Sequence, residues 1–218
     1  SVFNLKNFDF NLSYNDKTLL CHAIEKENLD IIKLLLNNPK IDVNQIFNDD
    51  GDDTTALAYA IEKENLEIIK LLLNDQKLDI NQKLLWRRYG FYEITALAYA
   101  IEKGNLEIVQ ILLNDQKLDI NQKLKEGFVK DNEWVKDTTA LTYAFDEGNL
   151  EIVQILLNDQ RLDINQKLKY GWKIVNALTY AIERGNKKIV DVLINSNRII
   201  ISPEERNMIK ELEIELKH

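Results

Sequence analysis

Little in this chain could be assembled into a reactive centre. Cys21 is the single cysteine among 218 residues, so no internal disulfide can form, and a reducing, cytoplasmic setting is expected. His22 and His218 are the only histidines, too few for a zinc cluster and poorly placed for a Ser–His–Asp triad. The seven glycines are dispersed, none of them in a glycine-rich phosphate loop. No apolar run reaches the roughly 18 residues that a membrane helix needs. The opening Ser1-Val-Phe-Asn-Leu-Lys lacks the apolar centre of a signal peptide. There is no initiator Met, so flanking sequence is expected. Basic residues are outnumbered, 28 Lys+Arg against 36 Asp+Glu, for a net charge of −8 and a pI near 5.0. That balance argues against nucleic acid or an anionic membrane as partner. With 45% hydrophobic and 29% charged residues, the composition is that of an ordinary soluble protein.

What the chain has in abundance is repetition. The unit reads most plainly from Thr55 to Gln82, Thr-Ala-Leu-Ala-Tyr-Ala-Ile-Glu-Lys-Glu-Asn-Leu-Glu-Ile-Ile-Lys-Leu-Leu-Leu-Asn-Asp-Gln-Lys-Leu-Asp-Ile-Asn-Gln. Copies start at Thr18, Thr55, Thr95, Thr139 and Asn176, so successive starts lie 37, 40, 44 and 37 residues apart. A period of about 20–50 residues implies a solenoid, each unit burying its apolar face against its neighbours.

Within a unit, Thr55 is a good helix N-cap, and Ala56 to Lys63 predict a short first helix. Glu64-Asn65 then breaks it. Later copies carry Gly104, Gly148 and Gly185 at that turn, where a left-handed backbone ends a helix. Glu27 and Glu64 in the first two copies should each cost about 1 kcal/mol if the turn is the same. Asn28, Asn65, Asn105, Asn149 and Asn186 are placed to cap the second helix. That helix is apolar nearly all round, which predicts burial on several sides. Leu78-Asp79-Ile80-Asn81 closes the unit, its Asp and Asn suited to bonding local backbone.

These residues resemble the ankyrin repeat family, whose pattern runs Thr-Pro-Leu-His, two alanine-like positions, Gly-His, an Ile-Val-x-Leu-Leu-Leu run and Ala-Asp-Val-Asn. The likeness covers residues 18–201. The family's Pro is replaced by Leu19, Ala56, Ala96, Ala140 and Ala177, and its His by Cys21, Ala58, Ala98, Thr142 and Thr179. The resemblance implies an all-α ankyrin-repeat solenoid of stacked helix-turn-helix units with projecting β-hairpin connectors. One domain over residues 1–218 is expected. Residues 1–17 read as a partial N-terminal unit, since Phe8-Asp9-Phe10-Asn11 echoes Leu78-Asp79-Ile80-Asn81. Ser202-Pro203-Glu204-Glu205 starts a C-terminal capping helix over 202–218.

Subtracting the repeated core leaves connectors at 46–54, 83–94, 123–138 and 167–175. The resemblance makes them hairpins on one side of the stack, often a binding side. Trp86, Trp134 and Trp172, the only tryptophans, all fall in connectors. Arg87, Arg88, Tyr89, Phe91, Tyr92, Phe128 and Tyr170 accompany them. Trp, Tyr and Arg are the residues enriched at interface hot spots, although cross-strand aromatic pairs also stiffen hairpins. We expect the three indoles in register along one side. By the resemblance, Lys63 and Lys103, with Glu62 and Glu102, belong to the concave first-helix face. The partner-binding set is therefore Trp86, Arg87, Arg88, Tyr89, Tyr92, Phe128, Trp134, Tyr170, Trp172, Lys63 and Lys103. Connector charge runs from −4 at Asp49, Asp50, Asp52 and Asp53 to +3 at Lys167, Lys169 and Lys173, a polarity that could orient a partner.

Candidate chemistry fails on spacing. Asp49-Asp50-Gly51-Asp52-Asp53 would put Ile46 and Leu57 at the first and last ligand positions of a calcium loop. Cys21 and His22, as helix neighbours, point about 100° apart. The tyrosine stripe Tyr59, Tyr99, Tyr143 and Tyr180 falls in the inter-repeat core. The sequence thus predicts a noncatalytic, monomeric protein-binding module without metal or cofactor. A segment masking a neighbouring domain, and a small-molecule or nucleotide sensor at Trp172 and Lys173, are the alternatives.

Overall fold

The protein, represented by a computed structural model, is described over residues 9–87, 92–127 and 136–215. Each of the five copies contributes a pair of short helices. The first of each pair are α1 (Leu19–Glu25), α3 (Ala56–Glu62), α5 (Ala96–Glu102), α7 (Ala140–Asp146) and α9 (Ala177–Glu183). The second are α2 (Leu29–Leu36), α4 (Leu66–Leu73), α6 (Leu106–Leu113), α8 (Leu150–Asn158) and α10 (Lys187–Asn195). First helices pack on first helices, and second helices on second helices.

Caps set these boundaries. Thr18, Thr55, Thr95 and Thr139 each accept the backbone N–H three residues on, and Asn176 does the same from Thr179 at 2.9 Å. The family's proline is therefore dispensable for starting the helix. Asn28, Asn65, Asn105, Asn149 and Asn186 cap the second helices at 3.1–3.2 Å. Gly104, Gly148 and Gly185 turn at φ near +67°. Glu27 and Glu64 adopt the same left-handed turn, at +50° and +52°, a conformation that L side chains occupy at a cost.

The core runs through the stack without interruption. Ile24, Ile61, Ile68, Ile69, Leu72, Ile101, Ile108, Leu112 and Leu193 are wholly buried. A ladder of amides fixes the spacing between units. Asn44 donates to Lys77 O (2.7 Å) and accepts from Asp79 N (2.8 Å), both one repeat ahead. Asn11, Asn81, Asn121 and Asn165 do likewise. Gln45, Gln82, Gln122 and Gln166 bond backward, each to the carbonyl of the preceding unit's Asn.

The hairpins form a third layer beside the first helices. β1 (Ser13–Tyr14) pairs with β2 (Lys17–Thr18), and β3 (Phe47–Asp49) with β4 (Asp52–Thr54), as separate two-stranded ribbons. The others are β5 (Leu84–Trp86), β6 (Tyr92–Ile94), β7 (Leu124–Glu126), β8 (Lys136–Thr138), β9 (Leu168–Tyr170) and β10 (Lys173–Val175). These six join into one antiparallel sheet, through Tyr92↔Glu126 and Lys136↔Tyr170 between hairpins. Carboxylates bridge successive hairpins as well: Asp53, Glu93 and Asp137 accept the N–H of Leu85 (3.4 Å), Lys125 (2.9 Å) and Lys169 (3.0 Å).

Helix α11 (Pro203–Glu215) closes the far end against α9. The capping box expected from its sequence is present: Ser202 Oγ accepts Glu205 N at 3.1 Å, and Glu205 accepts Ser202 N at 2.8 Å. Glu205 also accepts from Thr179 on α9 at 2.7 Å. Burial pushes its carboxyl pKa up, but these bonds outweigh that and hold it below the usual range.

Candidate partner-binding face

Side chains alternate along a strand, so in each hairpin the third residue of the first strand points the same way as the buried first. In β5 that pairs Leu84 with Trp86, and in β9 Leu168 with Tyr170. Both rings therefore lean on the helices. Trp86 is half-buried, its ring edge-on to Tyr99 at 4.7 Å and to its cross-strand partner Tyr92 at 5.8 Å. Its indole N–H donates to Asp53 O at 3.1 Å. Tyr92 is half-buried too. Tyr170 meets Tyr180 edge-on at 5.7 Å. Trp172 instead occupies the turn between β9 and β10 and is 98% exposed.

The expected register of indoles is thus corrected for the two that are described. Trp86 belongs to the sheet–helix junction, and Trp172 projects from a hairpin tip. Trp134, Phe128, Arg88 and Tyr89, like Phe91, lie outside the described residues. Arg87 is exposed and ion-pairs with Asp53 at 2.9 Å, tying the second hairpin to the first. Lys63 and Lys103 are exposed on the first-helix face. Their ammonium groups stand over Tyr59 (5.3 Å) and Tyr99 (5.6 Å), and Lys103 also reaches Glu62 at 2.8 Å.

Where the first two connectors meet α3 and α5, an open cleft of about 390 Å³ is left. Tyr59, Tyr99 and Trp86 line it together with Asp49, Asp52, Glu62 and Glu102. The tyrosines are buried in the inter-repeat core as the repeat pattern predicts, but their edges also face this cleft, which sequence reasoning missed. A signal was present: in every copy an acid follows three residues after the tyrosine slot, one helical turn along the same face. Burial raises the Glu102 carboxyl above its ordinary pKa, although Tyr143 Oη donates to it at 2.9 Å. Tyr180 Oη donates in the same way to Asp146 at 2.6 Å. Burial, reinforced by each carboxylate, drives both phenols well above the usual range.

Cys21 is completely buried, and its thiol is pushed up to about 12 by desolvation. No thiolate is available there near neutral pH. His22 bonds Tyr14 O at 2.8 Å rather than the sulfur. Among the described residues no three His, Cys, Asp or Glu side chains gather closely enough for a metal ion, and no helix is long and apolar enough to cross a membrane.

The sequence profile described as "Ankyrin repeats (3 copies)" matches residues 2–84, 48–123, 78–168 and 124–204. No curated protein matches the chain. Among solved structures, the fold is similar to the ankyrin repeat domain of Bcl-3, described as a unique member of the IkappaB protein family. The TM-score is 0.64 over 89% of this chain and 76% of that one, at 23% identity. At that identity the likeness is one of fold. Because the profile matches run almost from end to end, and both the helix pairs and the projecting hairpins are in place, the chain belongs to the ankyrin repeat family.

Proposed function

We propose that this chain is a noncatalytic module that binds a protein through the wall formed by its hairpins and first helices. It acts as a monomer in the cytoplasm, on proteins rather than nucleic acid. The observation that carries this reading is Trp172, held 98% exposed at the tip of an ordered hairpin. A bare indole is costly in water and is among the residues that dominate interface energies. Lys63 at the end of α3 and Lys103 at the end of α5, together with Arg87, Tyr92 and Tyr170 on the hairpins, would form the polar rim and stiff backing of the same wall. The array runs from a partial unit before Thr18 to the cap after Ile201. That division is supported by Asn11, which reaches Lys40 O (2.9 Å) and Asp42 N (2.8 Å) as its counterparts do.

A ligand pocket between Trp172 and Lys173 has no support, because the Lys173 ammonium is drawn onto Glu183 at 3.0 Å. The test is affinity capture from native lysate with wild type and Trp172→Ala. We expect at least one protein to be retained by wild type and lost by the variant, with both melting alike. Identical captures would reject the Trp172 face.

A further inference from the structure

The repeats supply an internal comparison at the cleft. Between repeats four and five, the hairpin and helix positions that line it are Glu126, Lys136, Asp146, Tyr170, Tyr180 and Arg184. Between repeats two and three, the same positions are Asp49, Asp52, Glu62, Trp86, Tyr99 and Lys103. Cross-strand registers correspond, Glu126↔Lys136 to Asp49↔Asp52. The edge-on ring pairs correspond, Tyr170 on Tyr180 to Trp86 on Tyr99. So do the bridges back to the preceding repeat, Arg184–Asp146 at 3.3 Å and Lys103–Glu62 at 2.8 Å. Carboxylates match carboxylates, rings match rings and the outer cation matches a cation. One position differs in kind.

That position is Lys136. Its ammonium lies 2.9 Å from Glu126 and 3.5 Å from Asp146, and 5.9 Å from the centre of the Tyr180 ring, with the side chain only 12% exposed. Repeats four and five thus form a cage of two carboxylates and a ring around the chain's own lysine. In repeats two and three Asp52 stands at the lysine's position, and a space of about 390 Å³ remains. The lining has six carboxylates, Asp49, Asp50, Asp52, Asp53, Glu62 and Glu102, and even with Asp53 paired to Arg87 (2.9 Å) and Glu62 to Lys103 (2.8 Å) acid is in excess there. Rings and carboxylates both attract cations, and a recessed site strengthens the attraction.

We propose that the cleft between repeats two and three receives a lysine side chain of the partner protein, in the role that Lys136 plays between repeats four and five. The inference rests on the binding-module reading and names the chemistry that the partner presents. It calls for a lysine flanked by few acidic residues.

The probe is a short fluorescein-labelled peptide of glycine and serine around three lysines, with a glutamine counterpart, followed by anisotropy at low salt. Wild type should bind the lysine peptide at least about tenfold more tightly than the glutamine peptide, with affinity falling as salt rises. Asp52→Lys should fill the cleft from within and lose at least about tenfold in affinity, while remaining folded. Because that change also removes a bond from Arg87 N to Asp52 (2.6 Å), a paired Asp49→Asn, Glu62→Gln variant, which keeps it, should show the same loss. In a Trp134→Phe, Trp172→Phe background, Trp86 emission should shift when peptide is added. Equal binding of the two peptides, or full binding by a folded Asp52→Lys protein, would overturn the proposal. If the cleft fails while Trp172→Ala still loses a captured protein, the binding-module reading stands without it. If the cleft succeeds and the captures are identical, the wall binds through the cleft and not through the tip.

Discussion

The helix stack and the hairpin wall are built from the same five copies, yet they have diverged very differently. The second helices read Leu-Glu-Ile-Ile-Lys-Leu-Leu-Leu in α4 and Leu-Glu-Ile-Val-Gln-Ile-Leu-Leu in α6, almost one sentence. The connectors beside them change in length, in net charge and in whether a ring or a carboxylate faces the helices. The contrast follows from what each element touches. A second helix packs against its own first helix and against the second helices of neighbouring repeats, so its neighbours are fixed and close-packed, and a methylene too many or too few is felt. A hairpin meets its neighbours through a few edge bonds and shows the rest of itself to water or a partner. Repetition therefore marks where the chain recognises itself, and variation marks where it meets something else.

The largest effect should come from the repeated helix stack. Leu112 is completely buried in α6, and Leu112→Ala should lower stability by about 2–5 kcal/mol through lost burial and a cavity. Met208 in α11 is only half-buried, and Met208→Ala should cost visibly less in the same denaturant titration. Equal losses would make α11 as integral as the central repeats and erase the difference between middle and end.

In the hairpin wall the most consequential residue should be Asp137. It accepts from the Lys125 ammonium within its own hairpin and from Lys169 N of the next. Asp137→Ala should cost about 1.5–3 kcal/mol, the range for bonds to a charged group. Burial tends to raise its pKa, but Lys125 and the Lys169 N–H prevail and lower it. A carboxylate with a depressed folded pKa stabilises above its unfolded value, near about 3.9, and that stability is lost as pH falls through the folded value. Melts at neutral pH and near pH 3 should therefore differ less for Asp137→Asn than for wild type. An unchanged difference would mean that Asp137 does not link the hairpins.

Smaller gains are available where one copy departs from its neighbours. Thr138 is 5% exposed, and its hydroxyl finds no hydrogen-bond partner among the described residues. The same slot holds Ile94 and Val175. Thr138→Val should raise stability by about 1 kcal/mol, because an unpaired hydroxyl is returned to water only on unfolding. Glu27→Gly should gain up to about 1 kcal/mol by relieving a positive φ, less whatever glycine adds to the unfolded chain's freedom. Calorimetric midpoints that fall in either variant would contradict the equivalence of the copies. Trp172→Ala should be the smallest of all, with no change in midpoint, since the ring touches so little of the fold.

Much of this was legible because the relevant partners lie close in sequence. Thr55 caps Ala58 and Asn65 caps Ile68 three residues on, and Ser202 with Glu205 forms a reciprocal box. Asp79 bonds Asn81 N at 2.9 Å, the local bond that Asp-x-Asn suggests. Asn81 itself was misjudged as local. Its amide spans to Lys117 and Asp119 in the next unit, and nothing within its own turn announces that. The register of the connector indoles was not legible for a related reason. A tryptophan in a connector looks exposed until strand parity and the next repeat's tyrosine are both known, and these turned Trp86 inward while leaving Trp172 out.

By itself the sequence determined the unit, its two helices, their caps and turns, and membership of a stacked array. Each of these depends on backbone bonds and apolar periodicity within about thirty residues, which recur five times. Only the tertiary structure decided how the copies meet. It joined three hairpins into one sheet, bound unit to unit through an asparagine ladder, and set Asp49 and Glu62 from one repeat beside Trp86 and Tyr99 from the next. Those contacts depend on the offset between units about forty residues apart. Whether a cage closes on its own lysine or stays open depends on that offset and on one side chain, Lys136 in one copy and Asp52 in another.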